Sequence, residues 1–349
     1  MGHVVLFGCS MDPDERDDSI QKKLRQMKQN DQRKTRYSDP YDVLSDLLDL
    51  IDKDGLFVRG GKIDVETWLT PFPLHLDMIL MNTLSFVSFI DAEGCREYYA
   101  KVAELAKKIL PEIPFLVGVD HSLSGGLLKA LSERYGKSDI LTIFVDSHFD
   151  AIQTPTRCDL IHYDIETNPH TRFDANDLYL HNRLNSYNAE SFIRFLVQDE
   201  VLLPENIVCI GVSNYPPSEA FRSEDERLRK YVEQFTSLER RGLKIVRKED
   251  LRSRPNILES IFKNYDLPYV SVSVDMDIGA KLACSGVRFS EYAGMQRSEI
   301  LKIVEAIRTH ALQRSSLIGL DLMEIDMHSA DENTFTLGLM IVKELLRLK

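Results

Sequence analysis

Short apolar runs alternate along the chain with segments of helical periodicity. Apolar residues fall at helical spacing in segments 41–52 and 96–110, which predicts amphipathic helices. The runs at 142–145, 270–274 and 317–320 are mainly apolar, and the first two are rich in β-branched residues, as is typical of strands buried on both faces. About eight such strands, interleaved with helices, predict a parallel α/β sheet with right-handed crossovers.

Acids and histidines stand where three of these predicted strands end. The three stretches are Val119-Asp120-His121, Asp146-Ser147-His148-Phe149-Asp150 and Asp275-Met276-Asp277. Residues two apart in a strand point the same way, and the carboxyl ends of parallel strands meet at one edge of the sheet. Any one stretch alone is equally well explained as a strand followed by a polar turn. Carboxylates and imidazoles crowded beside an apolar core are costly without a cation, so the three together predict a metal site.

Three other segments stand out from this alternation. Segment 151–185 is polar, contains Pro155 and Pro169 and shows no sustained period, which predicts an irregular loop insertion beside the active site. The charged stretch 12–36 predicts either a solvated helix in its second half or an exposed arm. The apolar, methionine-rich segment 75–90 predicts a piece of the core.

Composition narrows the class of protein. The chain has 349 residues, of which 43% are apolar, and it shows neither a repeat nor a linker, so we expect a single domain over residues 1–349. A net charge of −12 argues against a nucleic-acid partner and suits a cationic substrate. Five scattered cysteines without a C-x-x-C pair indicate a reducing compartment. With no apolar run of membrane length and no signal segment, we expect a cytoplasmic protein with no membrane partner.

Four stretches, taken in order, resemble the motifs of the ureohydrolases, a family that includes arginases, agmatinases and formiminoglutamases. They are Gly118-Val119-Asp120-His121-Ser122, Asp146-Ser147-His148-Phe149-Asp150, Ser273-Val274-Asp275-Met276-Asp277 and Gly319-Leu320-Asp321-Leu322-Met323-Glu324-Ile325-Asp326. The resemblance spans about residues 4–346. It implies a three-layer α/β/α sandwich with an eight-stranded, mostly parallel sheet.

The resemblance also implies two Mn²⁺ ions per chain. The first ion would be held by His121, Asp146, Asp150 and Asp275, and the second by Asp146, His148, Asp275 and Asp277. Such an oxygen-rich set favours a hard ion over Zn²⁺, and its four carboxylates balance two divalent cations. A related deacetylase branch shares the fold and uses one Zn²⁺. The presence of both Asp150 and Asp277 completes a second site that this branch does not need.

Catalytic roles carry over from the family for two residues. Two ions would activate a water that attacks the guanidinium carbon. Asp150 would orient this water and pass its proton to the leaving amine. Glu324 would accept hydrogen bonds from the guanidinium N–H groups. The alternative for Glu324 is a surface acid at a strand end.

The sequence departs from arginases where the free amino acid would be bound. Arginases have S-G-N-L-H-G where this chain has Ser186-Tyr187-Asn188-Ala189-Glu190, so Glu190 replaces the proton-shuttle histidine. Asn188 and Glu190 remain predicted substrate-binding residues. His162 is the predicted replacement shuttle, with His170 and His181 as alternatives, although each is also explained as an ordinary loop histidine. Segment 213–216 lacks the acids with which arginases bind the α-ammonium group.

These departures favour a rebuilt rim around a retained metal centre. We expect a manganese hydrolase that releases urea, and we favour arginine side chains in a peptide as substrate, converted to ornithine as in the peptide arginases. The alternatives are a small guanidine or formimino compound and, as a different class, a scaffold that binds without catalysis. The resemblance is also compatible with a homo-oligomer, because family members often form one.

Overall fold

Eight parallel strands form one sheet at the centre of the computed structural model, which describes residues 3–28 and 38–347. Their order is β2-β1-β3-β8-β7-β4-β5-β6, and every neighbouring pair is parallel. The strands are β1 (Val4–Cys9), β2 (Phe57–Lys62), β3 (Ile113–Gly118), β4 (Ile140–Val145), β5 (Ile207–Val212), β6 (Lys244–Arg247), β7 (Tyr269–Asp275) and β8 (Ser316–Met323). The predicted eight-stranded sheet is confirmed.

Helices cover both faces of the sheet. They are α1 (Asp17–Lys28), α2 (Pro40–Ile51), α3 (Thr83–Asp91), α4 (Gly94–Ile109), α5 (Ser124–Tyr135), α6 (Thr154–Thr167), α7 (Phe192–Gln198), α8 (Glu226–Glu239), α9 (Lys248–Ser253), α10 (Ile257–Phe262), α11 (Arg297–Ala306) and α12 (Glu332–Leu346). One core cluster joins the sheet to α2, α10, α11 and α12, and the other joins it to α1, α3, α4, α5, α7 and α8. The chain is therefore the three-layer α/β/α sandwich that the sequence predicts.

Alternation along the strands explains why both faces are covered. In β3, Phe115 and Val117 pack into one cluster and Leu116 into the other, and all three side chains are buried. Successive side chains of a strand point to opposite faces, so a continuous apolar run needs a helical layer on each side. In the part of the chain that the structure describes, no helix is both long enough and apolar enough to cross a bilayer.

Segment 151–185 is more regular than predicted. Residues Thr154–Thr167 form α6, and Pro155 lies in its first turn, where the missing N–H of proline costs nothing. The helix packs through Cys158 and Ile161 against Leu180 in a small cluster separate from the two main ones. Because so few apolar residues face this cluster, the sequence shows no clear helical period, and the prediction of an irregular loop was wrong for these residues.

Two further segments differ from their predictions. The charged stretch forms a helix, α1, that begins earlier than the predicted second half and runs across the middle of the stretch, whereas residues 29–37 lie outside the described part of the chain. The methionine-rich segment divides: Phe86 and Ile90 are buried in the core, but Leu76 and Ile79 are 88% and 83% exposed. A 3-10 segment, His75–Leu80, carries these exposed side chains, so the prediction of core burial was wrong for this half.

Candidate metal centre

The six predicted metal ligands lie at one edge of the sheet, where β3, β4 and β7 end. Asp146 directly follows β4, and Asp275 is the last residue of β7. Asp277 lies in the short 3-10 turn after β7, and His121 opens a similar turn after β3. Because β8 alone separates β3 from β7, and β7 pairs with β4, the ends of these strands bring the side chains together.

The ligand atoms form two groups that share Asp146. In the first group, Nδ1 of His121 lies 2.9 Å from Asp150 Oδ2, 3.3 Å from Asp275 Oδ2 and 3.4 Å from Asp146 Oδ2. In the second, Nδ1 of His148 lies 2.5 Å from Asp277 Oδ2 and 3.9 Å from Asp146 Oδ1. Asp275 belongs to the first group alone, so its bridging role stays a prediction.

Several ligand atoms in this centre are buried without a hydrogen-bond partner. They are His121 Nδ1, Asp146 Oδ2 and Asp277 Oδ2. Burial and the neighbouring Asp146 carboxylate raise the pKa of Asp150 to about 8. Burial and the carboxylates of Asp277 and Asp146 likewise raise the pKa of Asp275 well above its usual range. Four crowded carboxylates, two of them with unpaired oxygens, next to two imidazoles, fit a pair of divalent cations.

A chain of hydrogen bonds behind His121 fixes which ring nitrogen faces the centre. The Ser273 hydroxyl donates to Asp321 Oδ1 at 2.7 Å, and the oxygen of this hydroxyl lies 2.9 Å from His121 Nε2. Nε2 therefore carries the proton that it donates to Ser273, and Nδ1 keeps a free lone pair for a metal. Sequence reasoning missed this role of Asp321, although a lone acid within the apolar β8 was a signal of it.

Glu324 is a buried residue of the site. It follows β8 with a φ of 62°, in the left-handed region that non-glycine residues rarely adopt. Its Oε1 accepts a hydrogen bond from the backbone N–H of His121 at 2.8 Å, whereas Oε2 is buried without a partner. Strained backbone at such a position is typical of functional sites. The alternative of a surface acid is therefore wrong.

A cavity of about 810 Å³ opens onto His148, Asp150 and Glu324. Asn188 and Glu190 line it too, but their polar groups are already engaged. The Asn188 amide donates to Thr154 Oγ1 at 2.8 Å, and Glu190 Oε1 accepts from Arg157 Nη1 at 3.1 Å. Their roles in substrate binding remain predictions.

His162 lies on α6, apart from the ligands. Its ring centre is 6.0 Å from that of His181, and neither histidine is among the described residues that line the cavity. The structure thus brings the six predicted ligands and Glu324 together but leaves His162 outside this group. Its shuttle role remains a prediction without a geometric basis.

Sequence reasoning also missed Glu291, which covers the outer side of His148. Its Oε2 lies 3.9 Å from His148 Nε2 and 3.6 Å from Arg157 Nη2, and its Oε1 accepts from Arg172 Nη2 at 2.9 Å. Arg157 belongs to α6, so this acid ties the loop before α11 to the inserted helix. No pattern in segment 281–296 marks Glu291 in the sequence.

The family model described as "Arginase family" matches residues 19–347, which is nearly the whole chain. The chain belongs to the arginase family. Family members are hydrolases that act on guanidino C–N bonds, and they are binuclear metal enzymes. The two ligand groups of this arginase-family chain are consistent with such a centre. A search of curated proteins returned no match.

Solved structures of the family share the fold. Arginase from Bacillus caldovelox is 16% identical, with a TM-score of 0.60, and the match covers 100% of this chain and 99% of that one. Proclavaminate amidino hydrolase from Streptomyces clavuligerus is 17% identical, with a TM-score of 0.58 and coverage of 99% and 91%. Formimidoylglutamase from Bacillus subtilis is 14% identical, with a TM-score of 0.58 and coverage of 99% and 87%. At these identities the likeness shows the fold alone.

Proposed function

We propose that this arginase-family protein is a binuclear manganese hydrolase that cleaves a guanidino group with water to give an amine and urea. One observation carries the proposal: two groups of metal-ligand atoms share Asp146 and contain buried, unpaired donor atoms. Manganese is proposed because the set contains four carboxylates and two imidazoles and no thiolate. His121, Asp146, Asp150 and Asp275 would hold one ion, and Asp146, His148, Asp275 and Asp277 the other.

The two ions would supply an activated water nucleophile and neutralise the four carboxylates. The chain's own groups complete the reaction. Asp150 lines the cavity and would take a proton from the attacking water and return it to the leaving nitrogen. The unpaired Oε2 of Glu324 would accept a hydrogen bond from a guanidinium N–H, for which a carboxylate is a matched acceptor.

Two classes of substrate are consistent with the cavity. One is an arginine side chain within a peptide, and the other is a small guanidine or formimino compound. The cavity volume of about 810 Å³ is within the range of pockets for small ligands. We favour the peptide for one reason. Asn188 and Glu190 are engaged by Thr154 and Arg157, and the facing loop offers Asn214 in place of acids, so these positions provide no free groups for a free amino acid.

A turnover assay tests both parts of the proposal. Mn²⁺-loaded protein is incubated with free arginine, agmatine, formiminoglutamate and an arginine-containing peptide, and urea, formamide and ornithine are measured by mass spectrometry. Asp150→Asn and Asp277→Asn should abolish turnover. Asp139→Asn is the matched control, because this exposed acid precedes the opposite end of β4.

The outcomes separate the alternatives. Urea from the peptide alone supports the peptide substrate, whereas urea or formamide from a small compound alone contradicts it. Full activity in both Asp variants refutes the binuclear mechanism. One bound Zn²⁺ with amide hydrolysis favours the deacetylase alternative. Two bound ions with no turnover of any substrate favour a binding scaffold.

A further inference from the structure

Arg288 is a buried arginine directly behind Glu324. Its side chain is 6% exposed, and its Nη1 donates to Asp120 Oδ2 at 2.8 Å and to the Val119 carbonyl at 3.2 Å. Its Nε lies 3.6 Å from Glu324 Oε2 and 3.5 Å from Asp12 Oδ1. One guanidinium therefore faces three carboxylates, each from the end of a different strand.

The backbone holds Arg288 in this position. The N–H of Arg288 donates to the Glu324 carbonyl at 3.2 Å, and the preceding residue, Val287, forms a β-bridge with Ile325. The Arg288 carbonyl accepts from Arg16 Nη2 at 2.9 Å. The arginine and Glu324 are thus parts of one hydrogen-bonded unit, and a change at one residue is transmitted to the other.

The strand order places the contacts of Arg288 and the acidic metal ligands on opposite sides of Glu324. The contacts of Arg288 come from the ends of β1, β3 and β8, whereas the acidic metal ligands come from β4 and β7, on the opposite side of β8. Glu324 therefore lies between a fixed guanidinium and the metal centre.

Asp120 links the same arginine to the turn that carries His121. Its Oδ2 accepts from Arg288, while its Oδ1 accepts from the Ser122 backbone N–H at 3.1 Å. Glu324 Oε1 accepts from the N–H of His121 itself. Arg288 thus contacts both carboxylates that fix this turn, those of Asp120 and Glu324.

The local charges leave room for one more cation. Asp12 also pairs with the buried Lys23, at 2.9 Å, so Arg288 and Lys23 face three carboxylates. Two oxygens of this group, Asp12 Oδ1 and Glu324 Oε2, are buried without a hydrogen-bond partner, and of these two residues only Glu324 lines the cavity. A substrate guanidinium would supply the missing charge.

We propose that Arg288 is a positioning residue. Its guanidinium holds Glu324 and the turn that carries His121 in the geometry that receives the guanidinium of the substrate. The inference rests on the proposed function for its kinetic part only. A lysine cannot replace this arginine, because Nη1 contacts Asp120 and the Val119 carbonyl while Nε faces Glu324, and a single ammonium cannot occupy both positions.

Two substitutions test the proposal by kinetics. For Arg288→Lys and Arg288→Ala, KM for the guanidine is expected to rise about 10- to 100-fold, the range for loss of hydrogen bonds between charged groups. The Mn²⁺ content should stay at two per chain, because no ligand is changed and the contact between His121 Nε2 and Ser273 is left in place. The matched controls are Arg252→Lys and Arg252→Ala, which break a surface pair with Glu299 and should leave KM unchanged.

A second measurement does not need turnover. Arg288→Ala opens a space between three carboxylates that matches a free guanidinium ion. About 10 mM guanidinium chloride should therefore raise the melting temperature of Arg288→Ala more than that of the wild type or Arg252→Ala, relative to equal KCl.

The outcomes distinguish this proposal from the proposed function. A wild-type KM in either folded Arg288 variant overturns it, and Arg288→Lys, which keeps the charge, decides alone if the alanine variant does not fold. If the wild type hydrolyses no guanidine, the proposed function fails. The positioning role is then judged by guanidinium: selective stabilisation of Arg288→Ala supports it, and equal shifts in all variants, or an alanine variant that does not fold, overturn it.

Discussion

Ser273→Ala is expected to weaken metal binding although Ser273 is not a ligand. Its buried hydroxyl connects His121 Nε2 to Asp321 through contacts of 2.9 and 2.7 Å. Without it, the ring proton of His121 loses its acceptor and Asp321 Oδ1 its donor, in a region closed to water. The histidine ring is then free to turn or to take the other tautomer, in which Nδ1 carries the proton and cannot bind a metal.

The size of the effect follows from those two contacts. Leaving a buried donor and a buried acceptor unpaired costs about 1–3 kcal/mol each, so metal-free Ser273→Ala should lose about 2–6 kcal/mol of unfolding free energy. Outer partners of ligating histidines typically contribute 10- to 100-fold in metal affinity. The dissociation constant for Mn²⁺ should therefore rise by about that factor, equivalent to roughly 1.4–2.7 kcal/mol.

Calorimetric titration of metal-free protein with Mn²⁺ measures the affinity, and urea unfolding measures the stability. Ser271→Ala is the matched control, since Ser271 is two residues earlier on the same face of β7 and its buried hydroxyl has no hydrogen-bond partner. It should bind Mn²⁺ as the wild type does. Equal affinities for Ser273→Ala and Ser271→Ala would refute the assigned tautomer and the role of Asp321.

Three more predictions concern stability. In metal-free protein the pKa of Asp150 is raised from 3.8 to about 8, so the folded state keeps a proton that the unfolded chain has lost. The free energy of unfolding should therefore fall as the pH rises from about 4 to 8. Melting curves recorded with chelator measure this trend, and a flat profile would contradict it. Gly211→Ala should lower the free energy of unfolding in urea by about 1–3 kcal/mol, because φ is +104° and a Cβ would lie 2.3 Å from Ile278 Cδ1. Gly55→Ala, with open space around the new Cβ, should lower it less. Lys23→Met should lower the free energy of unfolding by about 3 kcal/mol, because Asp12 loses the ammonium group that lies 2.9 Å from its carboxylate. An unchanged free energy of unfolding in urea would show that this ion pair contributes nothing to stability.

Local sequence pattern was sufficient to predict the sheet and the grouping of the six candidate metal ligands at one edge of it. Continuous apolar runs specify strands buried on both faces, and ligand residues placed directly after them are carried to a common edge by the parallel arrangement. The grouping of the six candidate ligands therefore follows from their spacing at the strand ends, whereas their assignment to two ions comes from the family resemblance. Asp321 could have been found in the same way, as an acid within the apolar run of β8.

Other features depend on contacts that no local pattern encodes. Arg288 and Glu291 lie beside the candidate metal centre only because the loop before α11 folds over the ends of β3, β4 and β8. Helix α6 packs on a minor cluster and so lacks a wide apolar stripe, and the exposed side chains of Leu76 and Ile79 do not differ in type from core residues. Long-range packing decides these positions, and composition alone gives no sign of it.

The order of strands has a consequence for how the protein is made. β8, the last strand in the chain, lies near the middle of the sheet, where it is the partner of both β3 and β7. Until residues 316–323 leave the ribosome, the strands that carry His121 and those that carry the aspartates belong to two half-sheets with open edges. The nascent chain can therefore assemble its metal centre only after β8 has been synthesised, and chains that stop before β8 should be substrates for chaperones and proteases.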